Sequence, residues 1–405
     1  MQRTIRMYKV GFGDCFLLGF HDGGSSAYVL IDCGTITEKR AQLDKIVTDI
    51  VAESKSKLAL VIATHRHKDH VWGFDDPRWA DVEVGEVWMP WTEDPNDPRA
   101  TQIRDRQSAL ALALADEPSD RNPLERTPAR ESNNDAQERG LKAMALNGLT
   151  NEKAMATLHK GFAGTPLRHF LPLKDKIGEA RTVAGLSGVT FHVLGPTHDE
   201  KALASMDPPE GAGYLRWPTR IPKRQIGPPF PTRYLITQPD YVPRTNEGRE
   251  TFRVEERATV RKALEQPSGV LAAALDKAIN NTSLVIVIEV AGQFMLFPGD
   301  AQWGSWQAIM AHPKGRTLLE KVEVLKVGHH GSHNATPRAL IEEILVKQQT
   351  ALFSTKPVKQ WPNIPREKLL EALDTRHAKI ARTDQEPANG NGFRVSKGLY
   401  IEWTA

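Results

Sequence analysis

The chain lacks a disulfide framework, a membrane-spanning run and a strong charge of either sign. Its 405 residues contain only two cysteines, Cys15 and Cys33, too few to staple a secreted scaffold. The thiols read as small core residues, and the reducing cytoplasm is the expected location. No apolar run approaches the roughly 20 residues needed to cross a bilayer, and Met1 leads directly into an alternating strand with no signal-peptide pattern; no membrane partner is expected. Basic and acidic residues nearly cancel, 53 against 50, for a net charge of +3. That balance does not demand a nucleic-acid partner, and it permits one. No internal repeat or low-complexity tail is present.

Histidine is scarce, yet THRHKDH packs three imidazoles and a carboxylate between His65 and His70. It follows the apolar run LALVIA, which reads as a buried strand. His65, His67, Asp69 and His70 therefore leave one strand end together, alternation placing the first two imidazoles on one side while a turn brings the others round. Nitrogen and carboxylate donors of this kind suit zinc, manganese or iron. A two-metal hydrolase also needs a carboxylate able to reach both ions and further donors from other strand ends. Asp300 closes the strand FMLF through a Pro-Gly turn, although GDAQWGSWQAIM also reads as a helix opening that Asp300 would cap. His329 and His330 end the strand VEVLKV.

These pieces resemble the metallo-β-lactamase-fold hydrolases, whose signature is HxHxDH. Within that fold, VGFGDCFLL, YVLIDCG, NNTSLVIVIEVAGQFMLFPGDA, VLKVGHHGSH and PREKLLEALDTRHAKIARTDQ resemble, in order, the β-lactamase-like domain at the C-terminal end of the competence protein ComEC. The resemblance implies an α/β fold, an αββα sandwich carrying two divalent ions, zinc or manganese, at one edge. It implies His65, His67, Asp69, His70, Asp300 and His329 as metal ligands, with Asp69 and His330 as catalytic groups, His330 in proton transfer. Many members add a histidine in a GHT segment; none occurs here. The nearest substitutes are Asn280, Asn281 and His198, and the ComEC-like branch has Asn where others have His. Asp14 and Asp32, each at a strand end, are read either as turn formers or as partners that hydrogen-bond a ligating imidazole.

One domain over 1–405 is expected, with two insertions. EKRAQLDKIVTDIVAE carries Leu43, Ile46, Val47, Ile50 and Val51 at helical spacing. The first insertion, 93–180, reads as mainly helical and offers a surface for a protein partner. The second, 206–266, is rich in proline, with Arg216, Arg220 and Arg224 among aromatics such as Tyr214 and Trp217. Guanidinium groups grip phosphates and aromatic faces stack bases, so this loop is expected to touch substrate, together with Asn281 and His333; aromatics pinning the loop while its arginines face water is the plainer alternative. ALFSTK, KIARTDQ and FRVSKGLYIEW read as strands completing a second half-sheet.

The expected activity is metal-dependent hydrolysis, foremost of phosphodiesters in nucleic acid or nucleotides. The same core performs ester, amide or lactam hydrolysis, and a partner-dependent effector or binding protein is a third class.

Overall fold

In the computed structural model the described residues are 1–115, 151–174, 176–214, 275, 277–359, 361–387 and 392–405. They form two mixed sheets with helices, an α/β arrangement. The first sheet holds β1 (Gln2–Tyr8), β2 (Cys15–Asp22), β3 (Ser25–Cys33), β4 (Lys57–Ile62), β5 (Glu83–Pro90) and β6 (Leu167–Leu171). The second holds β7 (Glu179–Arg181), β8 (Val189–Gly195), β9 (Val285–Val290), β10 (Gln293–Phe297), β11 (Val322–Lys326), β12 (Thr350–Phe353) and β13 (Lys379–Arg382). The last two strands, β14 (Phe393–Ser396) and β15 (Tyr400–Thr404), belong to the first sheet, whose order is β14-β15-β1-β2-β3-β4-β5-β6. The second sheet runs β13-β12-β11-β10-β9-β8-β7.

Both sheets are buried on two faces. The apolar runs of β4 and β9 have no polar alternation because each side chain meets a different apolar layer. Leu60 and Ile62 join Phe16, Ile31, Phe191, Ile286, Ile288 and Met295 in a core between the sheets. Leu58 and Val61 face outward against Leu43, Ile46, Val47 and Ile50 of α1 (Arg40–Ser54). The second sheet is covered on its outer face by Trp306 and Ile309 of α6 (Trp303–Ala311), Leu318 of α7 (Pro313–Leu319), and Leu369 and Leu373 of α8 (Glu367–Thr375). The remaining helices are α2 (Lys68–Val71), α3 (Pro98–Ala115), α4 (Glu152–Lys160) and α5 (Glu200–Leu203). Among the described residues no helix is long and apolar enough to cross a membrane.

Two boundaries differ from the sequence reading. The region 93–180 contains α3 and α4, but it also contains β6 and β7, which extend the two sheets. LRHFL and EAR are short edge strands whose burial is too slight to print a period-two pattern. FRVSKGLYIEW does not complete the second sheet: β15 pairs antiparallel with β1, which puts Ile401 and Trp403 into the core between the sheets. Residues 116–150 and 215–274 lie outside the described residues, and with them most of the second insertion, including Arg216, Arg220 and Arg224.

The turns after His70 are tied to α1 by charge. Arg40 donates to Asp75 and, at 2.9 Å, to Asp76, while Arg78 Nε and Nη2 donate to Asp76 at 2.8 and 2.6 Å. The Arg78 hydrogen bonds, reinforced by Arg40, hold the buried Asp76 carboxyl down to about 2. Its folded pKa lies below the unfolded value of about 3.9, so its stabilisation is complete above pH 4 and is lost as pH falls toward 2. Asp76→Asn should cost about 1–3 kcal/mol at neutral pH and flatten the acid limb of the stability curve, as followed by denaturant melts. An unchanged acid limb would remove Asp76 from this role.

Candidate metal centre

The C-terminal ends of β3, β4, β10, β11 and β12 arrive at one edge of the molecule, where the two sheets meet. β4 runs into Thr64 and His65; the chain stays extended to His67 and then turns into α2, which carries Asp69 and His70. Glycine makes this approach possible. A Cβ on Gly34 would stand 2.4 Å from the backbone of both Asp69 and His70, closer than real atoms allow. Asp14 N–H donates to the Asp69 carbonyl at 2.8 Å, which pins the first strand pair to the same turn.

Asp69, His70, Asp300 and His330 are all buried, and one ligand atom from each lies within 4.8 Å of the others. His70 Nδ1–H donates to Asp32 Oδ2 at 2.8 Å, and Asp32 in turn accepts from Thr64 N and Oγ1, both at 2.7 Å. His330 Nδ1–H donates to the Ser354 carbonyl at 2.7 Å. In each ring the outward hydrogen bond fixes the tautomer and leaves Nε2 as the lone pair facing the cluster. His70 Nε2 stands 3.2 Å from Asp300 Oδ2 and His330 Nε2 3.4 Å from Asp69 Oδ2.

Next to this group, His65 Nε2 and His67 Nδ1 converge to 3.1 Å, and Asn280 Oδ1 lies 2.7 Å from His67 Nδ1. Two nitrogens bound to one tetrahedral zinc stand roughly 3.3 Å apart, so the pair has the separation of a shared ion. Ser283 Oγ supports His65 Nδ1 at 3.1 Å. Asn280, not Asn281, is the asparagine beside the His65/His67 pair.

The charge balance fits cations. Asp14, Asp32, Asp69 and Asp300 are buried, and among the described residues the one buried ammonium beside them is Lys326, which contacts Asp14 and lies 3.5 Å from Asp300 Oδ1. Without metal the imidazoles carry the compensation. Burial would lower His70, but Asp300, Asp32 and Asp69 outweigh it and raise it well above the ordinary histidine value. Burial likewise opposes ionisation of Asp300, and His70, His329 and Lys326 overcome it to hold the carboxyl well below its usual range. His65 shows the opposite case, lowered first by burial and then by the neighbouring imidazoles. Buried carboxylates in this number demand paired cations, and the donor set is one that divalent metals accept.

The adjacent histidines separate in the turn that follows β11. His329, His330 and Gly331 all have positive φ, 45°, 55° and 86°, a run that non-glycine residues rarely adopt, each costing about 1–3 kcal/mol. It aims His330 into the four-residue group. His329 stays outside that group with Nε2 3.9 Å from Asp300 Oδ2 and a side chain 17% exposed. Its N–H donates to Asp300 Oδ1 at 3.1 Å.

The structure also places the other candidates. Asn281 is fully buried and structural: its Nδ2 donates to the Leu203 carbonyl at 2.8 Å and its Oδ1 accepts from Gln302 N at 3.1 Å, so it has no free face for substrate. His333, expected to touch substrate, sits by Asp207, 3.6 Å away, outside the four-residue cluster. His198 stacks on Trp91 at 4.3 Å and approaches the Pro172 carbonyl at 2.9 Å, a packing role. Asp300 stands before α6 without capping it; the N-cap is Gln302. Lys326 escaped the sequence reading, though a lysine inside the apolar run VEVLKV was a visible signal.

No protein-family model matches the chain. A 107-residue stretch, 26% of the chain, is 34% identical to ComE operon protein 3 of Bacillus subtilis (strain 168) and spans 13% of that protein. This partial match and the buried His/Asp cluster fit a metallo-β-lactamase-like hydrolase.

His330→Ala should lower the divalent metal retained after dialysis, measured by mass spectrometry, while His329→Ala retains the wild-type amount; the reverse order would restore His329 as the ligand. Lys326→Met should destabilise the metal-free protein by about 3–5 kcal/mol, the cost of breaking a buried pair, with saturating zinc recovering part of the loss. Equal melting of the metal-free proteins would contradict that role.

Proposed function

We propose that the chain is an αββα metallo-β-lactamase-fold hydrolase that holds two divalent ions and cleaves phosphodiesters. The observation that carries this reading is the convergence of two donor sets on Asp300. Asp69, His70, Asp300 and His330 make one set, and His65 and His67 with Asn280 make a second beside it, the His65 and His70 ring centroids being 4.1 Å apart; on this reading Asp300 serves both. Bound there, divalent ions would supply Lewis-acid stabilisation and lower the pKa of a water to about 7.

The chain's own groups do the rest. Asp32 and the Ser354 carbonyl keep the ring orientations of His70 and His330 fixed, so little reorganisation accompanies the reaction. Lys326 holds Asp300 and Asp14 in place. With His330 turned inward as a ligand, the partly exposed His329 is the ring available to a leaving group. Asparagine is a weaker donor than imidazole, so the set containing Asn280 binds its ion more loosely, which favours activity restored by added Mn²⁺. A phosphodiester is favoured over a carbonyl substrate by the ComEC-like resemblance and by the cationic Arg66 within the motif itself.

Purified protein with Mn²⁺ or Zn²⁺ should cleave bis-p-nitrophenyl phosphate and labelled DNA or RNA. Asp69→Ala combined with His70→Ala should reduce turnover by more than about a hundredfold, since losing supporting partners alone costs 10–100-fold. Hydrolysis of p-nitrophenyl acetate with no cleavage of any diester would move the reading to a carbonyl hydrolase.

A further inference from the structure

The turns that follow β4 and β5 carry a group of cations, Arg66 among them, whose binding partner the reaction above does not specify. Arg66 is flanked by His65 and His67, and its backbone carbonyl accepts from Asn151 Nδ2 at 2.7 Å. Its side chain, 19% exposed, reaches Glu93, whose Oε1 is 3.3 Å from Arg66 Nε. That contact lacks hydrogen-bond geometry, and among the described residues Arg66 Nε and Glu93 Oε2 are both buried without a hydrogen-bond partner. Glu93 closes the turn after β5, and Arg104 of α3 folds over the same turn. Arg104 donates to the carbonyls of Thr92 and, at 3.1 Å, Asp94. Behind them Arg168 of β6 donates to the carbonyls of Leu158 at 3.0 Å and Gly161 at 2.9 Å.

Neither Arg104 nor Arg168 has a carboxylate partner within salt-bridge distance among the described residues. The field of the group registers on His159, in α4. Burial first, then the charges of Arg104, Arg66, Arg168 and Lys160, push its imidazole down to about 4. Glu93, Asp94 and Asp105 are the acids that act on Arg104, and burial with Arg66 outweighs them. Arg66 and Arg104 thus meet the same turn, Arg66 through a poorly aligned Glu93 and Arg104 through backbone carbonyls and Thr101 Oγ1 at 3.1 Å, so the resident carboxylate is weakly held. Guanidinium forks match the paired oxygens of phosphate.

We propose that Arg66 and Arg104 form a phosphate-binding subsite on the rim of the His/Asp centre, which takes a backbone phosphate neighbouring the scissile one and makes a polynucleotide the substrate class. This rests on the phosphodiesterase reading. Glu93 occupies the subsite until the polyanion displaces it from Arg66.

The test uses the 405-residue chain as isolated and a fluorescein-labelled, eight-nucleotide single strand whose phosphorothioate linkages resist cleavage, with binding read by anisotropy across a salt series. Arg66→Ala and Arg104→Ala should each weaken binding about tenfold and lower the slope of log affinity against log salt by about 0.7, the contribution of one phosphate on a single strand. Glu93→Gln should tighten binding several-fold, a gain that misfolding cannot imitate. Unchanged affinity and slope in both arginine variants, or no binding by the wild type, would overturn the proposal. Arginine-dependent binding in a protein that cuts no diester under Mn²⁺ or Zn²⁺ would keep the subsite and sink the phosphodiesterase reading. Cleavage indifferent to both arginines would do the opposite.

Discussion

The arrangement depends on one electrostatic constraint: four carboxylates buried together where the two sheets meet, with Lys326 as the one ammonium beside them among the described residues. Such a centre is costly in a low-dielectric interior unless cations balance it. Much of the surrounding structure serves to meet that cost. Asp32 is matched to His70, Asp14 to Lys326, and Asp300 to the His329 backbone N–H and the His70 ring. Gly34 lets the backbone of Asp69 and His70 settle against the end of β3. The parallel pairing of β3 with β4, of β10 with β11 and of β11 with β12 brings their C-terminal ends to the same edge.

Periodicity and local composition made much of this legible. LALVIA reads as a doubly covered strand and EKRAQLDKIVTDIVAE as a helix with one apolar stripe, and both hold, with Leu43, Ile46, Val47 and Ile50 buried. The cluster His65, His67, Asp69, His70 and the approach of Asp300 were visible as donors at strand ends. The choices between neighbours were not. His330 enters the four-residue group because three successive residues adopt positive φ, a conformation that HHGS permits and does not announce. Asn280 lies beside His67 whereas Asn281 is consumed by backbone groups of α5 and of the turn into α6, a distinction set by tertiary contacts. Short edge strands such as β6 and β7 carry too few buried positions for a period to register.

In the proposed reading the centre and its rim divide the work of a hydrolase. Rings fixed by Asp32 and the Ser354 carbonyl present lone pairs inward, which is the preorganisation that metal-assisted chemistry needs. Arg66 and Arg104 lie on elements that follow β4 and β5, so in the proposed reading the phosphate subsite and the reacting centre occupy adjoining ends of the same sheet. A strand-end platform gives rigidity, while the turn after β5 and helix α3 supply the variable part.

Anomalous X-ray scattering from crystals grown with zinc tests the central claim most directly. Two peaks should be found, one within about 2.0–2.2 Å of His65 and His67 nitrogens and one at that distance from Asp69, His70 and His330, with Asp300 reaching both. A single peak, or peaks confined to surface histidines, would contradict a two-ion centre built on Asp300.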